Sequence, residues 1–200
     1  GMWIYRGILM ILTNGQTIAV RAYASEEILN SFVKFGSGSI LGIPIPAYVF
    51  IVVALLLSFI LKKTVFGRNI YFIGSNPDAA AMSGINVPKV KFIAYIITGM
   101  LGGLAGAMLA GRLVSMPTNG GNGYEFEGIF ASVLGGISMV GGEGGMLGAV
   151  VGAIIVACIR NGLNLNGIDA FWQQVILGII IVIAVFYDTV RTKKARNAKS

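Results

Sequence analysis

From Pro46 to Leu61 the chain reads PAYVFIVVALLLSFIL, with no charged residue, and stops at Lys62 and Lys63. A run that is apolar on every side offers no face to water, so it lies at the centre of a large core or in lipid. Two more runs repeat the pattern. Phe92 to Leu113 follows Lys91 and carries Arg112 only beside its end, and Phe171 to Tyr187 opens on the interface aromatics Phe171 and Trp172 and closes at Asp188. A soluble chain of 200 residues cannot enclose three such runs. Here 56% of residues are apolar and 12% charged, against roughly 25% charged in soluble proteins, and mean hydropathy is +0.81. The solvent is a bilayer, which a helix crosses in about 20 residues.

Between the last two runs lie Gly128 to Gly142 and Gly145 to Leu163, parted by the turn Gly141-Gly142-Glu143-Gly144-Gly145. The first piece rises only ~22 Å as a helix. It is a short span or a broken, re-entrant helix with its irregular ends buried in protein. The expected fold is an all-α integral membrane protein, a polytopic helix bundle with one broken or short helix pair: spans at about 46–61, 92–113, 128–142 with 145–163, and 171–187. Gly1 to Leu12 is helical in pattern but too short to cross and does not resemble a signal peptide, so it is expected to be the tail of a span and the chain the carboxyl-terminal portion of a longer membrane protein. Thr13 to Pro44, with its amphipathic Glu26 to Phe35 and its Gly36-Ser37-Gly38-Ser39 turn, is expected to be an interfacial connection.

Cytoplasmic loops near span ends are enriched in Lys and Arg. Ten of the fifteen basic residues fall in two places: Lys62, Lys63, Arg68, Lys89 and Lys91, and Arg191, Lys193, Lys194, Arg196 and Lys199. Residues 62–91 and the tail 188–200 are therefore assigned to the cytoplasm, and Pro117 to Glu127 to the outside. Parity holds if Gly128 to Leu163 goes in and back. The net charge of +7 is thus an orientation signal, and no nucleic-acid partner is expected. With one cysteine, Cys158, and no histidine, neither a disulfide framework nor a Cys/His metal site is available. No catalytic residue, metal ligand or cofactor is assigned.

Seventeen of the 29 glycines lie between Gly99 and Gly152, although each costs about 1 kcal/mol relative to Ala inside a helix. Gly99, Gly103, Ala107 and Gly111 recur every fourth residue, as do Gly144, Gly148 and Gly152 with Gly145, Ala149, Ala153 and Ala157 beside them. Small residues at this spacing let backbones approach closely in a membrane. The stripes serve either tight packing or a sliding motion during transport.

Residues 62–91 are long for a connector. Asn76-Pro77-Asp78 supplies an N-cap, a first-turn proline and a dipole-compatible acid. Ala79-Ala80-Ala81-Met82 is strongly helical, Gly84 ends the stub, and Val87-Pro88 is expected to keep it from running into the next span. A stub helix flanked by Tyr71, Phe72 and Ile73 on a cytoplasmic face suits another protein's groove; a solvated re-entry turn is the plain alternative.

The run Gly67-Arg68-Asn69-Ile70-Tyr71-Phe72-Ile73-Gly74-Ser75-Asn76-Pro77-Asp78-Ala79-Ala80-Ala81-Met82-Ser83-Gly84-Ile85 resembles the cytoplasmic signature of ribose/xylose/galactoside-type ABC transporter permeases. Gly123-Tyr124-Glu125, Val133-Leu134-Gly135-Gly136 through Gly141-Gly142, and Asn161-Gly162-Leu163-Asn164-Leu165 followed by Phe171-Trp172-Gln173-Gln174 are similar as well. Order and spacing extend the match over nearly the whole chain; Ser75 stands where many relatives have Gly. The resemblance implies an importer subunit in the cytoplasmic membrane of a prokaryote. It works with a separate ABC ATPase subunit that uses the ATP, an extracytoplasmic solute-binding protein, a second permease subunit in a homo- or heterodimer, and membrane lipid. This chain carries no phosphate-cradling Gly-rich motif of its own. Gly67, Arg68, Gly74, Asn76, Pro77, Asp78, Ala79, Ala80, Gly84 and Ile85 are the implied ATPase-coupling residues.

For the solute pathway, amides and aromatics near outer span ends suit a polyhydroxylated cargo: Tyr124, Asn161, Asn164, Asn166, Trp172, Gln173 and Gln174. The competing roles are an interface anchor for Trp172 and interhelical hydrogen bonds for the amides. Arg112 and Arg160 are placed to pair with Glu125 or Glu127, or to meet a binding protein. An ion-coupled secondary transporter is the rival class, disfavoured because no acidic residue falls inside the three clear runs. Permeases for nucleosides or autoinducer sugars share the same motifs.

Overall fold

A chain in lipid has no water to satisfy its backbone and must bond internally, and helices carry most of this one. The structure is a computed structural model describing residues 2–22 and 25–197, with the side chains of residues 170, 184 and 187–197 outside the description. In chain order the elements are α1 (Met2–Thr13), β1 (Ile18–Ala19), a single 3-10 turn, α2 (Glu26–Ser37), β2 (Ser39–Ile40), β3 (Ile43–Pro44), α3 (Ile45–Lys63), α4 (Val65–Ser75), α5 (Pro77–Met82), α6 (Val87–Leu113), β4 (Ser115–Met116), α7 (Tyr124–Leu134), α8 (Met146–Leu165) and α9 (Ala170–Asn197). Among the described residues, α3, α6 and α8 are each long and apolar enough to cross a membrane. Helix α9 spans 28 residues, and its described apolar part is Phe171–Ile183.

Two compact units divide the chain: residues 1–53 with 92–122, and 54–91 with 123–200. In the first, the amphipathic α2 buries Leu29 and Gly36 and lies against the end of α6. A Cβ on Gly36 would stand 2.5 Å from the Gly111 carbonyl carbon and 2.6 Å from the Met108 oxygen, so two glycines set this crossing. Gly99 and Gly103, on the same stripe, have open space where a Cβ would go. Strands β1 and β4 pair antiparallel with Ile18 opposite Met116, and β2 and β3 form a hairpin with Ile40 opposite Ile43.

The second unit holds both candidate sites. Ala131 of α7, Val156 of α8 and Leu177 of α9 form its buried centre, with Phe130, Leu134 and Ala153 packed around them. Helices α7 and α8 approach so closely that a Cβ on Gly148 would collide with the Gly135 carbonyl, and one on Gly152 with the Ala131 carbonyl. The second small-residue stripe is therefore a packing seam at these positions.

Four element boundaries depart from the sequence reading. Residues 62–91 are not a loop: α4 and α5 occupy most of them, because Thr64 turns the chain at once. Its Oγ1 accepts from the Gly67 N–H at 3.1 Å and donates to the Ile60 carbonyl at 2.6 Å. Helix α6 begins at Val87, ahead of the expected start at Phe92, with Pro88 in its first turn, where a missing N–H has no partner to lose; the stub ends at Met82 and does not run into it, as expected. Beyond Asp188, α9 runs on to Asn197; the tail's basic side chains lie outside the described residues. Of the expected span 128–142, only residues up to Leu134 are helical. Eleven residues rise about 16 Å, so α7 is the broken helix of the two alternatives, and its chain continues irregularly to Gly145.

Candidate functional site: a capped stub helix and a polar groove

Asn76 ends α4 and starts α5. Its Oδ1 accepts from the Asp78 and Ala79 N–H groups, both at 3.0 Å, meeting two of the donors a helix start leaves open. Pro77 occupies the first turn. At the other end the Ile85 N–H donates to the Ala80 carbonyl and the Gly84 N–H to the Ala81 carbonyl, the paired bonds of a Schellman ending. Gly84 sits at φ +80°, and a Cβ there would meet nothing within 4 Å; backbone conformation, not space, requires glycine there. Ala80 is 0% exposed and packs with Ile73 and Val90, flanked by Phe66, Ile70, Ile85 and Val87. One cluster thus joins α4, α5 and the start of α6. The opposite side of the stub is open, with Pro77, Asp78, Ser83 and Gly84 exposed and Met82 at 91%.

Helix α4 also meets the glycine turn after α7. A Cβ on Gly74 would lie 2.5 Å from the Gly142 nitrogen, so here backbone touches backbone. One turn earlier, the Tyr71 hydroxyl donates to the Gly144 carbonyl at 2.9 Å. Gly141, Gly142 and Gly144 all have positive φ, which lets the chain reverse here and enter α8.

Near the other end of α8 is a groove of about 420 Å³ walled by Glu127, Arg160, Asn161 and Asn164 over a floor that includes Ala131 and Ala153. Arg160 Nη1 pairs with Glu127 Oε1 at 2.5 Å, and its guanidinium lies 6.0 Å from the centre of the Tyr124 ring. Gln173, 4% exposed, donates from Nε2 to Asn164 Oδ1 at 2.7 Å and to the Ile168 carbonyl at 2.8 Å.

Residues 1–185 match the family described as branched-chain amino acid transport system / permease component. The chain belongs to this permease family. Among curated relatives, the permease is 42% identical to the ribose import permease protein RbsC of Bacillus subtilis (strain 168), over 94% of this chain and 56% of that one. It is 43% identical to the xylose transport system permease protein XylH of Haemophilus influenzae, over 76% of this chain and 41% of that one. It is 35% identical to the L-arabinose ABC transporter permease protein AraH of Azospirillum brasilense, over 99% and 56%. The permease therefore spans between 41% and 56% of the length of these relatives, and no solved structure matches it. Family and apolar helices together make it a multi-pass membrane protein, built on α-helices.

Of the permease's expected pathway residues, Asn161 and Asn164 line the groove, and Tyr124 stands beside it through Arg160. Gln173 braces Asn164 from behind. Asn166 bonds back to the Gly162 carbonyl at 2.7 Å, and Trp172 and Gln174 are exposed on α9 without lining the groove. Among the expected coupling residues, Asn76, Pro77, Ala79, Ala80, Gly84 and Ile85 build the stub, and Gly67 sits where a Cβ would lie 2.5 Å from the Ile60 oxygen, closing the α3–α4 turn. Arg68 is exposed on α4. The sequence reading missed the contact of Gly74 and Tyr71 with the glycine turn. Clustered glycines signalled a bend there, but nothing local signalled which element it would meet.

Proposed function

We propose that the permease is a transmembrane subunit of an ATP-driven importer in the cytoplasmic membrane of a prokaryote, carrying a monosaccharide or a similar small polar solute. The three relatives described above are named for ribose, xylose and L-arabinose, all aldopentoses, and an aldopentose is the favoured cargo. A separate ABC ATPase subunit binds and hydrolyses the ATP, a solute-binding protein presents the sugar on the outer face, and a second permease subunit completes the conduit.

The observation that carries this reading is the stub α5, exposed on one side and pinned on the other by Ala80 among Ile73 and Val90. A helix held this way transmits a push instead of yielding to it. Motion at α5 passes into α4, and through Gly74 and Tyr71 into the glycine turn and α8. ATPase closure would thereby bias the inward-open and outward-open states. The test joins topology to coupling. A Ser83→Cys thiol is expected to react with a membrane-impermeant maleimide only from the cytoplasmic side, and less once the ATPase is bound. Labelling from outside, or labelling indifferent to the ATPase, refutes the docking role.

A further inference from the structure

We propose that the groove between α7 and α8 is a binding station for a small polyhydroxylated solute, read by the Glu127–Arg160 pair with Asn161 and Asn164. This rests on the importer reading and adds a named site to it.

Placement comes first. Glu127 lies in the opening turn of α7, and Arg160, Asn161 and Asn164 in the last turns of α8. The floor residue Ala153 lies near the middle of α8, so the groove reaches from a span end toward the membrane's midplane, where transporter solute sites form between broken helices. Its volume of about 420 Å³ is within the ~300–1,000 Å³ range of small-molecule sites.

Charge comes second. Glu127 and Arg160 lie at helix ends, where a long charged side chain turns its head toward water or a wet cavity and not toward lipid. The Arg160 and Glu127 side chains keep 33% and 24% of their exposure, so the pair is not sealed between the helices; it opens into the groove.

The free valences come third. Glu127 gives one oxygen to Arg160 and keeps the lone pairs of the other. Arg160 retains further donors of its fork. Asn164 gives Oδ1 to Gln173, which turns its Nδ2 donor free, and Gln173 is itself fixed by the Ile168 carbonyl. No side-chain hydrogen bond among the described residues engages Asn161. The groove therefore offers an ionic acceptor, an ionic donor and two amide groups at once. Hydroxyls, which donate and accept together, match that mixture, and the apolar alanine floor suits the carbon face of a sugar ring.

A structural clasp joining α7 to α8 is the competing role of the pair, and the experiment separates the two. The complete transporter, with its ATPase and binding protein, is reconstituted in proteoliposomes and given radiolabelled D-ribose, D-xylose or L-arabinose. Uptake and ATP hydrolysis are measured in the same vesicles. Glu127→Gln and Asn161→Ala are expected to lower sugar carried per ATP by about tenfold, with thermal stability unchanged. The charge exchange Glu127→Arg with Arg160→Glu remakes the pair without the original order of acceptor and donor, and is expected to leave uptake low. Full uptake in the exchanged variant, or unchanged uptake in Glu127→Gln and Asn161→Ala, overturns the site. If Glu127→Gln fails to assemble, Asn161→Ala, whose side chain ties no element to another, decides alone. If the unaltered transporter carries none of the three sugars, the aldopentose cargo fails and takes the site's assigned ligand with it, while the importer reading is judged by the Ser83→Cys labelling.

Discussion

Replacing Gly74 with alanine isolates the contact between the stub's supporting helix and the glycine turn. The new Cβ would lie 2.5 Å from the Gly142 nitrogen and 3.2 Å from its Cα. Ordinary contact begins near 3.4 Å, so α4 and the turn must separate by about 1 Å, and both partners are backbone with no side chain to rotate away. Tyr71 lies one turn from Gly74 on the same face, so its 2.9 Å bond to the Gly144 carbonyl stretches beyond hydrogen-bond range with the same movement. Losing that bond costs about 1 kcal/mol, and the overpacking adds roughly 1–3 kcal/mol, against which the better helix propensity of Ala recovers about 1 kcal/mol. The net expectation is a destabilisation of ~1–3 kcal/mol. Chemical unfolding of the purified permease in lipid nanodiscs, followed by tryptophan fluorescence, measures it. Gly99→Ala is the internal control: a Cβ there meets nothing, and the propensity term makes that variant neutral or about 1 kcal/mol more stable. A Gly74→Ala protein as stable as the parent, or a Gly99→Ala protein equally weakened, refutes the backbone contact. Reconstituted with the proposed ATPase subunit, Gly74→Ala is further expected to allow ATP hydrolysis with reduced solute transport.

Other consequences follow from named contacts. Asn76→Ala removes both bonds that start α5 and is expected to cost about 1 kcal/mol, seen as about fivefold faster hydrogen exchange at the Asp78 and Ala79 amides, while Asn76→Asp retains protection. Gly84→Ala, forced to φ +80° in open space, is expected to lose about 1–2 kcal/mol, with Gly84→Asn losing less; equal stabilities in the unfolding assay exclude a conformational role for the glycine. Gln173→Leu strips two bonds from a side chain 4% exposed and is expected to destabilise the α8–α9 corner by about 1–3 kcal/mol, measured by the same unfolding assay.

Much of this protein is fixed by local chemistry. Uncharged runs of span length require lipid whatever their neighbours do, and Lys62, Lys63, Lys89 and Lys91 bound two of those runs by sequence position alone. Asn76, Pro77 and Gly84 write a capped stub whose bonds close within a few residues, so that too was legible. The broken helix at residues 128–142 was visible as a length deficit, although its end at Leu134 was not. Tertiary structure decided the rest, because those facts join residues far apart in the chain. Gly74 meets Gly142, and Glu127 meets Arg160, by close helix approach, which is a property of two surfaces and not of either segment. The same reason separates Asn161 and Asn164, which face the groove, from Trp172 and Gln174, which do not. A helix's sequence gives the period of its faces, but only its partner determines which face is covered.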